Sequence, residues 1–383
     1  MGIEIVRLTK NDYDELISVL DRTFSKYHNI PDYSFEENLP KMCRRTDEAM
    51  NKHFGLRHNG SIKAVFGAYP LPVRMAGEEL LFSTMGNVAT LPDEEGKGYM
   101  SMLLDVAMQE LKNMGADASR LGGKRSRYRR YGFDPAGSLY TYTLELEQWR
   151  KDIVTEAVTF KPLMRTDEEL LKEASRLHDA GDFIVIRANL DDFYDTLLAW
   201  KNIPYAAFNK NGEMIGYLSA SADGSSIVEA EAYSLDNFKA LLYGWLSQRS
   251  SKVTIPMLPH RILENEFLLD ICSDYTISAP SRFKIINWEK VIYATLKLKA
   301  TYTPMPKTEK LIEIEGYGKL LIRTGEELIE CVRCDNIART ADITLPWYLA
   351  NIFFFGPSAE LANRLGCGAL FPLPLSWNKQ DRV

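Results

Sequence analysis

Cysteine is scarce in this chain, and the five present are scattered: Cys43, Cys272, Cys331, Cys334 and Cys367. An odd, sparse set does not make the paired framework of a disulfide-built secreted domain, so it points to reduced thiols and a cytoplasmic setting. Histidine is as scarce: His28, His53, His58, His178 and His260 are dispersed. A structural zinc needs four ligands, and Cys331-x-x-Cys334 has neither a second cysteine pair nor a histidine pair beside it. The pair reads as plain thiols at the end of a strand, and no metal is expected. No apolar run approaches the ~20 residues of a membrane span. The longest, around 345–355, contains Pro346 and Asn351 and reads as a buried helix. The start, MGIEIVRLTK, has no apolar core of a signal peptide. Positive charge is not in excess either. A net charge of −6 argues against a broad basic face for nucleic acid.

What the chain does have is length for two or three domains, at 383 residues. It also has one stretch of concentrated information, Gly86 to Met114. Asn87-Val88-Ala89-Thr90 reads as a strand ended by Pro92, which has no N–H for a ladder. Asp93 to Gly98 is a loop, and a helix begins near Tyr99. Met102, Leu103, Val106, Ala107, Leu111 and Met114 form its apolar stripe, and Gly115 stops it. The first N–H groups of such a helix have no partner within it and favour an anion. Gly96 and Gly98 remove side chains that would block a phosphate. The spacing matches neither the Walker loop nor the three-glycine dinucleotide turn.

Before this stretch, Ile3–Leu8 reads as a strand and Tyr13–Phe24 as an amphipathic helix, followed by a second helical stretch over Phe35–Met50. His58-Asn59-Gly60-Ser61 is a hairpin turn, Ala76-Gly77-Glu78 is another, and Leu80–Thr90 is the strand that enters the loop. After it, Ala116–Gly122 is a strand, Ser126–Tyr131 a short helix and Leu139–Leu146 a strand. This order, together with Glu95-Gly96-Lys97-Gly98-Tyr99-Met100, resembles the GNAT N-acetyltransferases and their loop (Gln/Arg)-x-x-Gly-x-(Gly/Ala). Gly98 takes the central glycine, while Glu95 and Met100 depart from the pattern. The resemblance implies acetyl-CoA as co-substrate. It would lie across Val88, Ala89 and Thr90 and on Gly96, Lys97, Gly98, Tyr99, Met100 and Ser101, with Gly123 and Lys124 after the next strand. Lys97 is placed to offset Glu95.

From Trp149 the pattern restarts. Lys210-Asn211-Gly212-Glu213 repeats the earlier Asn-Gly hairpin 152 residues on, which suggests a diverged second copy, with a chance match as the alternative. No glycine loop follows it, so no cofactor is expected in that half. From Ile285, three strands around Gly316 and Gly325 precede two helices, an apolar one from Trp347 and another over Ser358–Leu365, and look like a sterol-carrier-protein-like unit. The fold class expected is α/β (α+β): a GNAT-like domain at 1–148, a second degenerate one at 149–284, and the sterol-carrier-like domain at 285–383. That arrangement resembles the Eis-type (enhanced intracellular survival) N-acetyltransferases.

The resemblance also implies roles. Tyr128-Arg129-Arg130-Tyr131-Gly132-Phe133 matches a Tyr-x-x-(aromatic)-Gly-(aromatic) segment whose first tyrosine protonates the departing CoA sulfur, so Tyr128 is the expected general acid and Tyr131 its rival. Arg125, Arg127, Arg129 and Arg130 either attract the anionic cofactor or form a solvated face. In the Eis-like family the C-terminal carboxylate takes the amine proton; here that is Val383. A frayed polar tail is the alternative, with Glu36, Glu37 or a water chain then supplying the base. Phe24 and Tyr27 match aromatic positions of the acceptor cleft and are equally readable as core. The family also implies a closed hexamer. The function expected is acetyl transfer to a primary amine, of an aminoglycoside-like polyamine or of a peptide or lysine. The alternative is a binding protein that holds an apolar ligand in its last domain.

Overall fold

The computed structural model describes residues 2–153, 155–376 and 378–381. Its first part is a mixed sheet whose strands are, in chain order, β1 (Ile3–Arg7), β2 (His53–His58), β3 (Ser61–Met75), β4 (Glu78–Thr90), β5 (Ala118–Leu121) and β6 (Asp134–Ala136). The expected turns at Asn59-Gly60 and Ala76-Gly77 join β2–β3 and β3–β4. All four residues have positive φ, from 47° at Ala76 to 83° at Gly60, the mirror-image turn that follows the strand twist. Val65 and its neighbours Ala64 and Phe66 point to opposite faces. One face takes the helix Tyr13–His28 through Leu16, Val19 and Leu20; the other takes the helix Tyr99–Met114 through Leu103, Leu104, Ala107 and Leu111.

The second helical stretch expected over Phe35–Met50 is not one helix. It breaks into Phe35–Asn38, a 3₁₀ turn Pro40–Met42 and Asp47–Met50. Pro40 cannot extend the first piece. Ser34 and Thr46 cap separate starts by accepting from the N–H groups of Glu37 and Ala49. The residues between are thereby turned inward, which matters below.

The expected final strand forms as β7 (Leu139–Glu145), yet it does not join the first sheet. It pairs on both sides with Lys252–Met257 and Asp274–Ser278. In exchange, Ser281–Ile285 inserts between β5 and β6, antiparallel to both. Strands thus cross both expected boundaries, at 148 and 284. Phe183–Val185 adds to the outer half of β3. The middle of the chain has its own antiparallel sheet, of strands Thr159–Pro162, Ile203–Phe208, Met214–Ala220 and Ile227–Ala232. In the last part, strands Ile329–Arg333, Gly318–Thr324, Thr308–Ile314 and Ile343–Leu345 lie in that order, the last pair parallel. Helices Trp288–Ala300 and Trp347–Phe355 back them. Phe353, Phe354 and Phe355 pack into a core continuous with Val73, Phe82 and Phe283 of the first sheet. Among the described residues, no helix is long and apolar enough to cross a membrane.

Two irregularities shape β4. Its parallel pairing with β5 lasts only from Phe82/Ala118 to Met85/Leu121. Against β3 the register slips between Val65 and Gly67, so Asn87 and Val88 bulge, with Asn87 at φ 54°. The bulge is held from below: Asn87 Nδ2 donates to Tyr69 Oη at 2.5 Å, and that oxygen lies 2.6 Å from Nε2 of the fully buried His53. Burial lowers the His53 pKa to about 4, so the ring is neutral. Tyr69 reaches across Gly67, where a Cβ would sit 2.3 Å from Tyr69 Oη. Gly67→Ala should therefore expel the phenol, break the network and cost about 1–3 kcal/mol. Urea unfolding followed by fluorescence would measure the loss.

Candidate active site

Where β4 and β5 part, the chain makes a cradle. Beyond Met85 the β5 side of β4 carries no partner strand among the described residues. Gly96 and Gly98 both have φ 82°, and a Cβ on either would meet nothing within 4 Å. The space in front of the loop is thus open, and Gly98 caps the helix Tyr99–Met114 in the left-handed conformation. Open space, glycine backbone and a helix N-terminus fit a phosphate-bearing group. Of the expected cofactor residues, Val88, Ala89 and Thr90 line the bulged strand. The Thr90 carbonyl is additionally held by Thr23 Oγ1 at 3.2 Å. Tyr99 contributes backbone alone, since its ring is buried and its hydroxyl lies 2.7 Å from His58 Nδ1.

The charges of the loop are paired differently from expectation. Lys97 donates to Glu94 at 2.6 Å, and Glu95 is met instead by Lys26 at 3.6 Å. Lys26 of the first long helix, not Lys97, offsets the unusual carboxylate. The arginine cluster divides as well. Arg125 and Arg129 converge on the fully buried Asp134, with Arg129 also 4.4 Å over the Tyr348 ring. Arg130 turns the other way and donates to Ser101 Oγ at 2.7 Å, in the first turn of the motif helix.

Tyr128 ends the short helix Arg125–Tyr128 and is 4% exposed. Gly123 makes its place: a Cβ there would lie 2.8 Å from the Tyr128 ring. Burial raises the phenol pKa, against the lowering influence of Arg127 and Arg282, so the hydroxyl keeps its proton at neutral pH. Tyr131, the rival, faces the motif helix, its hydroxyl 3.4 Å from the Ser101 carbonyl. Tyr27 lies in the neighbourhood of Tyr128. It is 68% exposed, whereas Phe24 is half-buried and packs on Tyr33 and Phe35 with centroids 6.0 and 5.2 Å apart. Two carboxylates sit among these rings. Asp21 accepts from the Phe35 N–H at 2.7 Å, and burial raises its pKa. Glu36 accepts from the Tyr13 hydroxyl. Glu37, in contrast, is exposed and pairs with Lys201 at 2.7 Å.

The tail is not frayed as far as it is described. Leu370, Phe371, Leu373 and Leu375 are buried, and the Ser138 N–H donates to the Leu375 carbonyl at 3.1 Å. The turn Lys379–Asp381 then enters the interior. Gln380, fully buried, donates to the carbonyls of Thr196, Leu197 and Ala199 at 3.0, 2.9 and 3.2 Å. Its own carbonyl accepts from Lys41 Nζ. Asp381 pairs with Arg187 at 3.1 Å, and Arg187 with Glu229 at 2.6 Å. Burial alone would raise Glu229; the Arg187 guanidinium outweighs it and holds the carboxyl well below its usual range. Burial also lowers Lys41, to about 7, despite Asp381. Lys41, Arg187 and Glu229 carried no sequence signal as single polar residues in mixed contexts. Val383 lies outside the described residues. Of the other singled-out side chains, Cys331 is buried in a strand, where burial raises its thiol.

Comparison with known proteins agrees with this geometry. Residues 4–136 match the acetyltransferase (GNAT) domain family. Eis1 from Mycobacterium abscessus superposes with a TM-score of 0.65 at 14% identity, covering 100% of both chains. A protein of unknown function from Enterococcus faecalis V583 gives 0.68 at 18% identity over 98% of both, and a GCN5-related N-acetyltransferase from Anabaena variabilis gives 0.64 at 14% over 98% of both. No curated protein matches the sequence. A GNAT domain implies acetyl-CoA as acyl donor. Residues 4–136 are thus a GNAT acetyltransferase domain, set within a chain whose overall fold is like that of Eis1.

Proposed function

We propose that this chain moves the acetyl group of acetyl-CoA to a primary amine on a cationic acceptor, an aminoglycoside-like polyamine or a lysine-bearing peptide. The observation that carries the reading is the buried, protonated Tyr128, packed on Gly123 beside the opening between β4 and β5. Bound acetyl-CoA supplies an activated acyl carbon. The chain's own tasks are to hold the pantetheine arm on Val88–Thr90, take the phosphates on Gly96–Ser101, and give a proton to the sulfur as it leaves. An acid with a raised pKa holds that proton in reserve at neutral pH. Asp21 and Glu36, set among Tyr33, Phe35 and Tyr27, suit an ammonium-bearing acceptor.

The amine must lose a proton as it attacks, and the Val383 carboxylate is assigned that role. What supports it is the docking of Gln380 and Asp381, which buries the chain to within two residues of that carboxylate.

Three outcomes test this reading. In Tyr128→Phe, turnover measured by thiol release should fall about 10²-fold, with CoA affinity by calorimetry unchanged, because a general acid acts in the transition state. Appending residues after Val383 should lower turnover to a similar degree and leave CoA binding intact. A tagged chain as fast as the untagged one removes Val383 from the mechanism and returns the base to Glu36 or water. Lys41→Met tests the anchor. The unfolded lysine keeps its proton to about 10.5 and the folded one releases it near 7, so the unfolded state binds more protons between those values. Lys41 therefore gives the wild type stability that rises with pH. Relative to Lys41→Met, the wild type should gain up to about 2 kcal/mol between pH 7 and 8.5, read by denaturant unfolding at each pH.

A further inference from the structure

A cavity of about 610 Å³ lies between the middle of the chain and its tail, which supplies Asn378 and Asp381 to the lining. Tyr128, the glycine loop and the aromatic cleft of Phe24 and Tyr27 take no part in it. Phe183, Ile184 and Leu258 make the lining apolar, and Tyr233 and Tyr302 add phenol rings.

Its charge is mainly of one sign. Glu173, Asp182, Glu231, Glu264 and Asp381 line it, against Arg176 and Arg261. Those guanidiniums are already divided. Arg261 donates to Glu231 at 2.6 Å and to Glu264 at 2.7 Å, and Arg176 donates to Glu173 at 2.9 Å. Arg187, outside the lining, is shared between Asp381 and Glu229, and His178 Nδ1 lies 3.8 Å from Glu229. Asp182 is exposed and makes no ion pair among the described residues. Burial raises the Glu231 pKa in spite of Arg261, so this carboxyl is short of positive charge.

His260, also in the lining, is an independent sign. Its ring packs on Phe183 with centroids 5.9 Å apart, and its Nδ1 is buried with no hydrogen-bond partner among the described residues. Burial, then Arg261, lowers its pKa to about 3, so the ring is neutral and can present Nδ1 as an acceptor. A buried polar atom without a partner costs free energy, and a donor entering the cavity offsets that cost.

Carboxylates in excess, an idle acceptor and an apolar surface with rings describe one chemistry, ammonium groups joined by methylenes. We propose that this cavity binds a linear aliphatic polyamine, at a site apart from the acceptor cleft and with no acetyl transfer there. The ammoniums pair with Asp182 and Glu231 and the methylenes lie on Phe183 and Leu258. Glu231 belongs to the middle of the chain and Asp381 to the tail, so the ligand bridges the two. The proposal does not depend on the acetyl-transfer reading.

Calorimetry with spermine in the absence of CoA tests it, since no acyl group is then present to transfer. Asp182→Asn removes one charge of the cavity at constant size, and Asp182→Lys reverses it; circular dichroism checks the fold of each. The wild type should bind spermine, Asp182→Asn about threefold more weakly and Asp182→Lys about tenfold or more so. Asp179→Lys makes the same charge change at an exposed acid outside the lining, and should leave that binding within about twofold, as should Asp21→Asn in the aromatic cleft. Equal losses in Asp179→Lys and Asp182→Lys reveal a general charge effect and overturn the proposal. Binding that Asp21→Asn abolishes and both Asp182 variants keep belongs to the cleft alone and overturns it too. Absence of any spermine binding to the wild type does the same, and leaves acetyl transfer to be judged separately by thiol release.

Discussion

The short parallel pairing of β4 with β5 is the constraint on which the rest depends. Four register pairs hold the two strands together, from Phe82/Ala118 to Met85/Leu121. Beyond them β4 bulges at Asn87 and β5 stops before Gly122-Gly123. A strand that loses its neighbour in mid-sheet leaves backbone groups that need another partner. A chain carrying both donors and acceptors along its length, such as a pantetheine arm, can take that place. The two glycines after β5 then decide what stands at the gap, because only without a Cβ at 123 does the Tyr128 ring fit. The opening, the helix N-terminus at one end and the phenol at the other are therefore consequences of one interrupted ladder.

The fold surrounds that interruption with shared strands. Ser281–Ile285 covers the far edge of β5, and β7 is given away to strands more than a hundred residues on. The acetyltransferase part therefore has no closed sheet of its own; the middle of the chain completes it. Buried charge acts in the same direction. Arg187 is 3% exposed in side chain and Glu229 is fully buried, and such ions are tolerated only when paired. Asp381 supplies the second acid to Arg187. Removing one partner from a buried pair typically costs on the order of 3–5 kcal/mol, so the tail is fixed in position by the charges it satisfies.

Much of this was legible in the sequence. The β4–loop–helix unit could be read because each piece is local: a strand ended by Pro92, glycines at 96 and 98, apolar periodicity to Met114 and a glycine stop. The short helix that carries Tyr128 was legible too. What was not legible depends on partners distant in sequence. Nothing near Leu139 says that β7 pairs with Lys252–Met257, since a strand's alternation states which face is buried and not which chain lies beside it. Phe35–Met50 read as helix because its apolar spacing is helical, yet Pro40 and two cap residues divide it. Lys97 was paired with Glu95 by proximity in the chain; the fold brings Lys26 there instead, 69 residues away in sequence. The His53–Tyr69–Asn87 network was invisible for the same reason, being assembled from three strands.

The division of the short arginine run makes the last point. Four arginines in six residues, Arg125 to Arg130, read as one basic patch. The fold gives them separate destinations, because a short helix followed by a 3₁₀ turn sends successive side chains in different directions. Arg125 and Arg129 neutralise Asp134, which sits on β6 where the inserted strand pairs with it, so they stabilise the shared sheet. Arg130 is left to meet Ser101 at the start of the motif helix. A patch that composition would call electrostatic steering is thus largely occupied in holding the sheet together. One of these cations, the helix N-terminus and the open glycine loop coincide at Ser101 instead.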